Sequence, residues 1–208
     1  MSPLTVFIVA SIVSFIGSIP PGTINISVMQ LAILHRRSTA LSFGAAAALV
    51  ELFYAGFTVR FHIFLTENTN ITDYFHAIAG TAMLILGVVN LISKTKSSDV
   101  KTVHEQVKKR NAFRKGVLLG IANPLTVPFW LAVTAYLQKH EWISLDGFKL
   151  YAYAAGIAVG TFVLLLAVTQ LGSKFKTIAN NRYIVHVIPG ILFMCMGLYS
   201  YYQWYLTF

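Results

Sequence analysis

The stretch Ile19-Pro20-Pro21-Gly22-Thr23-Ile24-Asn25 interrupts an apolar run that starts at the third residue. Inside a helix, proline lacks the backbone donor and clashes with the turn before it, at a cost of about 3 kcal/mol or more. Two prolines and a glycine in the middle of a hydrophobic run therefore predict a deliberate break rather than a helix interior.

That run is one of six, near residues 3–34, 38–65, 72–93, 115–137, 148–171 and 184–206. Each reaches the roughly 20 residues that carry a helix across about 30 Å of hydrocarbon. Of the 208 residues 56% are hydrophobic and 11% charged, with a mean hydropathy of +0.68. A soluble domain carries about 25% charged residues. The expected fold is an all-α polytopic membrane protein with six transmembrane helices. No charge precedes His35, so the first run lacks the basic flank of a cleaved signal and is expected to stay as a span. The polar interval 94–114 is too short for a core of its own. One transmembrane domain is therefore expected over 1–208, and Cys195, alone, has no intrachain partner and reads as a small buried hydrophobe.

The net charge of +9 is unevenly placed. Of 16 Lys and Arg, 13 fall in the first, third and fifth connections, including Arg36 and Arg37, the cluster Lys94 to Lys115, and Lys174, Lys176 and Arg182. Short basic loops stay cytoplasmic, which predicts both termini outside. The basic loops suit an anionic lipid leaflet. With no folded domain to present them, no nucleic-acid partner is expected.

The break has a counterpart. GSIPPGT (Gly17–Thr23) and GIANPLT (Gly120–Thr126) both read G-x-x-x-P-x-T, 103 residues apart. HAIAGTAMLILG (His76–Gly87) and HVIPGILFMCMG (His186–Gly197) both read H-x-I-x-G-x6-G, 110 apart. Each half then holds three spans, and an odd number inverts the second half in the membrane. A 3+3 inverted repeat is expected, with repeat one over 1–93, a basic loop over 94–114 and repeat two over 115–208. Helices 1 and 4 would be broken at their proline motifs. Such repeats point to a secondary transporter with its site near the midplane, and freed backbone at that depth must line a cavity or be buried in protein. A half-helix starting near Gly22 or Leu125 offers open N–H groups to a carboxylate.

Six of the seven acids lie in connections or at their edges, and Glu51 does not. It sits midway through the second run, after Gly44 and four alanines that permit close helix approach. A charge at that depth costs at least about 2.5–3.5 kcal/mol, which makes such acids functional candidates by default. The nearest cation along the helix, Arg60, is nine residues away. Glu51 is the expected proton-coupling group, because an unpaired acid out of water favours its protonated form. Asn25 and Asn123 flank the breaks and are expected substrate or ion contacts, whereas Gln170 reads as interfacial. The six histidines show no metal-ligand spacing, and His76 and His186 mark the repeat rather than form a pair.

SIPPGTIN, GAAAALVELFYA and GIANPLT together resemble the LysE-type translocators, over essentially the whole chain in length, span number and motif order. The commoner motif there is Pro-Gly-Pro, and here Thr23 follows Gly22. The resemblance implies export of amino acids or related small metabolites driven by a proton or ion gradient, with pairing into a homodimer. It places Pro21, Gly22 and Asn25 of the first span and Asn123 and Pro124 of the fourth in a discontinuous site. Thr23 and Thr126 share the motif and join the expected substrate-binding set. No cofactor or resident metal is implied. A divalent cation exporter of the same architecture is the alternative, although one carboxylate with two asparagines is a thin ligand set for a hard cation. A non-transporting scaffold gives no reason to place an acid beside two matched breaks. Enzyme chemistry is not expected: there are no paired intramembrane aspartates, no His-Glu-x-x-His helix and no second cysteine.

Overall fold

A computed structural model of the chain describes residues 1–20, 22–34, 37–67, 69–93, 108–123, 126–172 and 181–206, the side chains of 66 and 69–76 excepted. Pro21, Pro124 and Leu125, the histidines at 35 and 104, the side chain of His76, and residues 94–107 of the basic interval 94–114 lie outside what is described. The described residues form eight α-helices: α1 (Pro3–Gly17), α2 (Thr23–Leu34), α3 (Arg37–Glu67), α4 (Thr69–Ile92), α5 (Lys109–Ile121), α6 (Thr126–Lys139), α7 (Lys149–Gln170) and α8 (Ile188–Tyr205). A π-helical turn, Tyr183–Val187, leads into α8.

The first run is two helices, as its prolines require. Ser2 caps α1 by accepting from the Thr5 N–H at 3.2 Å, and Pro3 occupies the first turn, where no donor is needed. At the far end the Ser18 and Ile19 N–H groups close the last turn onto Ser14 O and Ile16 O. Pro20 has no N–H to extend the ladder. It resumes when the Ile26 N–H bonds Gly22 O at 3.0 Å. The fourth run divides in the same way. Asn123 N–H bonds Gly120 O at 3.2 Å, Pro124 cannot donate, and α6 departs from α5 at 62°. Here α5 begins earlier than the expected 115. Lys109, Arg110, Ala112 and Arg114 are good helix formers, and buried Ala112 fastens that extra turn to the core.

Among the described residues three helical stretches are long and apolar enough to cross a membrane unaided: Arg37–Leu65, Lys149–Gln170 and Tyr183–Tyr205. The bent α5–α6 pair makes a fourth when taken as one span. The breaks leave α1 and α2 shorter, at 15 and 12 residues, and the apolar part of α4 covers Ala77–Ile92. Burial runs opposite to that of a soluble protein. Phe53, Ile78, Ile92 and Leu118 are at least 65% exposed, while Ala10, Ala40, Ala46, Ala47 and Ala55 are wholly buried. Lipid accepts large apolar side chains, so small residues are left to bring the helices together. Cys195, expected to be buried, is on the exposed face of α8, because Gly190, Phe193 and Gly197 take the packed face.

Glycines set the closest approaches. On α7, a Cβ at Gly156 would lie 2.5 Å from Phe7 O and one at Gly160 2.7 Å from Ser14 Cβ, both on α1. On α5, a Cβ at Gly116 would meet Phe43 O and Ala46 Cβ, and one at Gly120 would lie 3.0 Å from Val50 Cβ, all on α3. In both pairs the numbers rise together, so α1 lies parallel to α7 and α3 parallel to α5. α4 and α8 instead meet antiparallel: Gly80 faces Gly197 and Gly87 faces Gly190, with backbone oxygens 3.0–3.2 Å from each missing Cβ. These are the four glycines of the two H-x-I-x-G-x6-G motifs.

Candidate functional site

The first break rests on α7 and closes on itself. Ser14 Oγ donates to Ile157 O at 2.7 Å and pairs with Thr161 Oγ1 at 3.0 Å; Ser18 Oγ approaches the same hydroxyl at 3.5 Å. Asn25, 6% exposed in the first turns of α2, turns its amide back on the break and donates to Ser18 O at 2.8 Å and Pro20 O at 3.3 Å. These are two of the carbonyls that the interrupted ladder frees. Asn25 thus belongs to the break, with its amide N–H groups given to the backbone. Gly22 and Thr23 are exposed, and nothing lies within 4 Å of a Cβ at Gly22.

The second break is organised around an acid. Trp130 Nε1 donates to Glu51 Oε2 at 3.0 Å, and the Thr126 hydroxyl also hydrogen-bonds the carboxyl. Thr126 opens α6 and Trp130 follows one turn later, both buried. Glu51 itself is half-buried. Its partners are neutral donors; the ion pair Lys149–Asp146, at 2.9 Å, lies away in the α6–α7 connection. The open first turn of α6 adds the partial positive charge of a helix N-terminus beside the carboxyl. One turn along α3, Tyr54 OH donates to Ile121 O at 2.7 Å and satisfies a carbonyl freed at the end of α5. Asn123 is half-buried.

The two breaks are in contact. A Cβ at Gly17, the last residue of α1, would lie 2.8 Å from Phe129 Cζ, and the Phe129 ring meets Trp130 edge-on at 5.1 Å. Gly17, Phe129, Trp130 and Glu51 thus link the end of the first half-helix to the acid at the second. Of the residues expected from sequence, the structure sets Thr126 beside Glu51 at the second break and holds Asn25 at the first. It adds Trp130, Phe129, Tyr54, Ser14, Ser18 and Thr161. The i, i+4 spacing of Thr126 and Trp130 was the available signal for Trp130, since it puts both on one face of the half-helix that follows the break. Among the described residues no three His, Cys, Asp or Glu side chains converge as a metal site would need.

The chain is 22% identical over 190 residues to the "Putative amino acid efflux protein YcgF" of Bacillus subtilis (strain 168), covering 89% of this chain and 90% of that one. No solved structure matches it. The family model for the LysE type translocator matches residues 15–203, from the turn before the first break to the last turns of α8. This multi-pass helical membrane protein belongs to the LysE type translocator family.

Proposed function

We propose that the chain exports amino acids or related small metabolites across the cytoplasmic membrane by alternating access, coupled to protons through Glu51. One observation carries the reading: the acid inside α3 is held by neutral donors on the first turn after a helix break. Neutral donors and a helix N-terminus can serve the carboxylate without a fixed cation that would lock it in that form. The protonated acid keeps the same neighbours. A carrier that must load and release a proton in each cycle needs both states to be accessible. The relative named for amino acid efflux supports the substrate class.

In this reading α1–α2 and α5–α6 are the broken first and fourth spans of six, arranged as a 3+3 inverted repeat in one domain. Its support is the exchange of partners between halves, α1 with α7 and α5 with α3, and the antiparallel meeting of the two matched glycine motifs. Substrate occupies the space between the breaks, with Gly22, Thr23, Asn25, Asn123 and Thr126 beside it and Pro21 and Pro124 opening the backbone. The basic connections face the cytoplasm and both termini face outward. A homodimer belongs to the same proposal, tested by crosslinking at exposed Cys195.

The test is flux in proteoliposomes loaded with a labelled mixture of the twenty amino acids, with and without an imposed pH gradient. Gradient-stimulated export of part of the mixture is expected, and loss of that stimulation in Glu51→Gln. Normal, gradient-responsive export by Glu51→Gln overturns the coupling role. Efflux of divalent cations with no amino-acid flux overturns the substrate class.

A further inference from the structure

Glu51 stands at one end of a polar file along the α3–α6 seam, buried in its middle and partly open at its ends. On α3, Glu51, Thr58 and His62 are spaced i, i+7 and i+11 and share one face. On α6, Thr126, Trp130, Thr134 and Gln138 recur every fourth residue and share another. Contacts at both ends set the register: Glu51 with Thr126 and Trp130, and the His62 imidazole beside the Gln138 side chain. At 1.5 Å per residue, Glu51 to His62 is about 16 Å and Thr126 to Gln138 about 18 Å. The two helices therefore run parallel with their polar files facing each other. Between the ends, Thr134 pairs with the buried Tyr153 hydroxyl of α7 at 2.9 Å.

Thr58 is the informative member. Ser11, Ser27, Thr81 and Thr169 all return their hydroxyls to the carbonyl four residues back, at 2.7–2.8 Å. Thr58 is wholly buried, and its Oγ1 has no partner among the described residues. Gln138 Oε1 is likewise buried; the His62 imidazole lies beside it but makes no hydrogen bond of full geometry to it among the described residues. Two such oxygens on facing sides of one polar seam are what buried water satisfies in folded proteins.

We infer that this file is the proton path of the transporter, running from the bundle end that carries His62 through Thr58 and buried water to Glu51. The inference rests on the coupling role proposed for Glu51. Only O–H and N–H bonds change along it. A proton from the aqueous side binds one nitrogen of His62 while the other nitrogen gives its proton to the file. Water and the Thr58 hydroxyl each accept one proton and pass one on, and the last reaches the Glu51 carboxylate. Tautomer exchange of His62 resets the relay. Among the described side chains, α7 brings Tyr153 to the file. Lys139 and His140 are exposed just past Gln138 at its mouth, and Arg60 is exposed on α3. Lys109, Arg110, Arg114 and Lys115 of α5 are exposed at the opposite end of the bundle.

The test uses the same proteoliposomes and the same labelled amino-acid mixture, in two modes: export driven by a pH gradient, and exchange of internal for external label without one. Thr58→Val keeps the shape and removes a hydroxyl that no described group holds, and Thr58→Ser restores it. Thr58→Val and His62→Asn should slow gradient-driven export on the order of a hundredfold, the lower end of what a positioned proton-transfer group contributes. Both should keep exchange, and Thr58→Ser should behave as the wild type. If Glu51→Gln loses coupling while Thr58→Val and His62→Asn keep it, the path is wrong and the coupling role stands. If Glu51→Gln is itself coupled, both fail. Loss of exchange together with driven export in Thr58→Val also overturns the path, since it marks a structural role.

Discussion

Replacing Gly160 with alanine should separate α1 from α7 and loosen the first break, and the size of the effect can be worked from the contacts. The added Cβ would lie 2.7 Å from Ser14 Cβ and 3.0 Å from Phe15 N. Carbon atoms pack at about 3.5–4.0 Å, so the helices must part by roughly 1 Å. The obstructing atoms are backbone and a Cβ, which cannot rotate away. Overpacking of this kind costs about 1–3 kcal/mol. A 1 Å displacement also stretches Ser14 Oγ to Ile157 O from 2.7 Å and to Thr161 Oγ1 from 3.0 Å, beyond useful length. Each lost bond removes about 0.5–1.5 kcal/mol. The expected total is about 2–6 kcal/mol. The same change at Gly56 meets nothing within 4 Å and should gain up to about 1 kcal/mol of helix propensity. Unfolding of both variants in mixed micelles by a denaturing detergent gives the comparison. Equal stability of Gly160→Ala and Gly56→Ala would refute the close α1–α7 packing and the inverse reading of these two glycines.

Trp130→Phe keeps the ring against Phe129 and removes the donor to Glu51; it should cost about 0.5–1.5 kcal/mol if the acid is neutral and about 1.5–3 kcal/mol if ionised, a difference that a double-mutant cycle with Glu51→Gln reads directly. Asn25→Ala leaves Ser18 O and Pro20 O without their side-chain donor and should destabilise by about 1–3 kcal/mol, measured by thermal unfolding of purified protein. Gly147→Ala adds no clash but forces a side chain onto a φ of 56°, so it should cost about 1–2 kcal/mol in the same assay. Lys149 holds the Asp146 carboxyl below the usual carboxylate range, chiefly through its hydrogen bond. The favourable pairing is therefore present above the ordinary aspartate pKa and is lost as pH falls through the lowered value. Asp146→Asn should abolish that acid-side dependence while barely moving the melting temperature at neutral pH.

Much of the fold is legible in the sequence because lipid simplifies the code. Apolar length marks where helices can lie, and proline marks where they stop, so both breaks can be placed from residues 20 and 124. The glycines of the H-x-I-x-G-x6-G motifs are legible as a repeat; that they meet each other across α4 and α8 is not, because spacing within a helix says nothing about which helix faces it. The same limit hides the site. Glu51 stands out as an acid in an apolar run, but its partners come from α6, 75 and 79 residues onward. Trp130 reads in sequence as one more large apolar residue. The helical extension to Lys109 is hidden for another reason: charge suggests a loop, and only the packing of Ala112 shows the turn to be held.

The two halves share a device and differ in what they do with it. At the first break the donors are spent locally: Asn25 answers Ser18 and Pro20, and the hydroxyls of Ser14, Ser18 and Thr161 cluster together. At the second break the first-turn donors of α6 reach outward to a side chain on another helix. A symmetric scaffold gives two conformations of similar energy, which alternating access requires, because exchanging the roles of the halves inverts the molecule in the membrane. Coupling requires the opposite. A proton can bias that equilibrium only if it interacts differently with the two states, and matched acids at both breaks would respond alike. Under the proposed coupling, an acid at one break alone would let a nearly degenerate pair of states be driven in one direction.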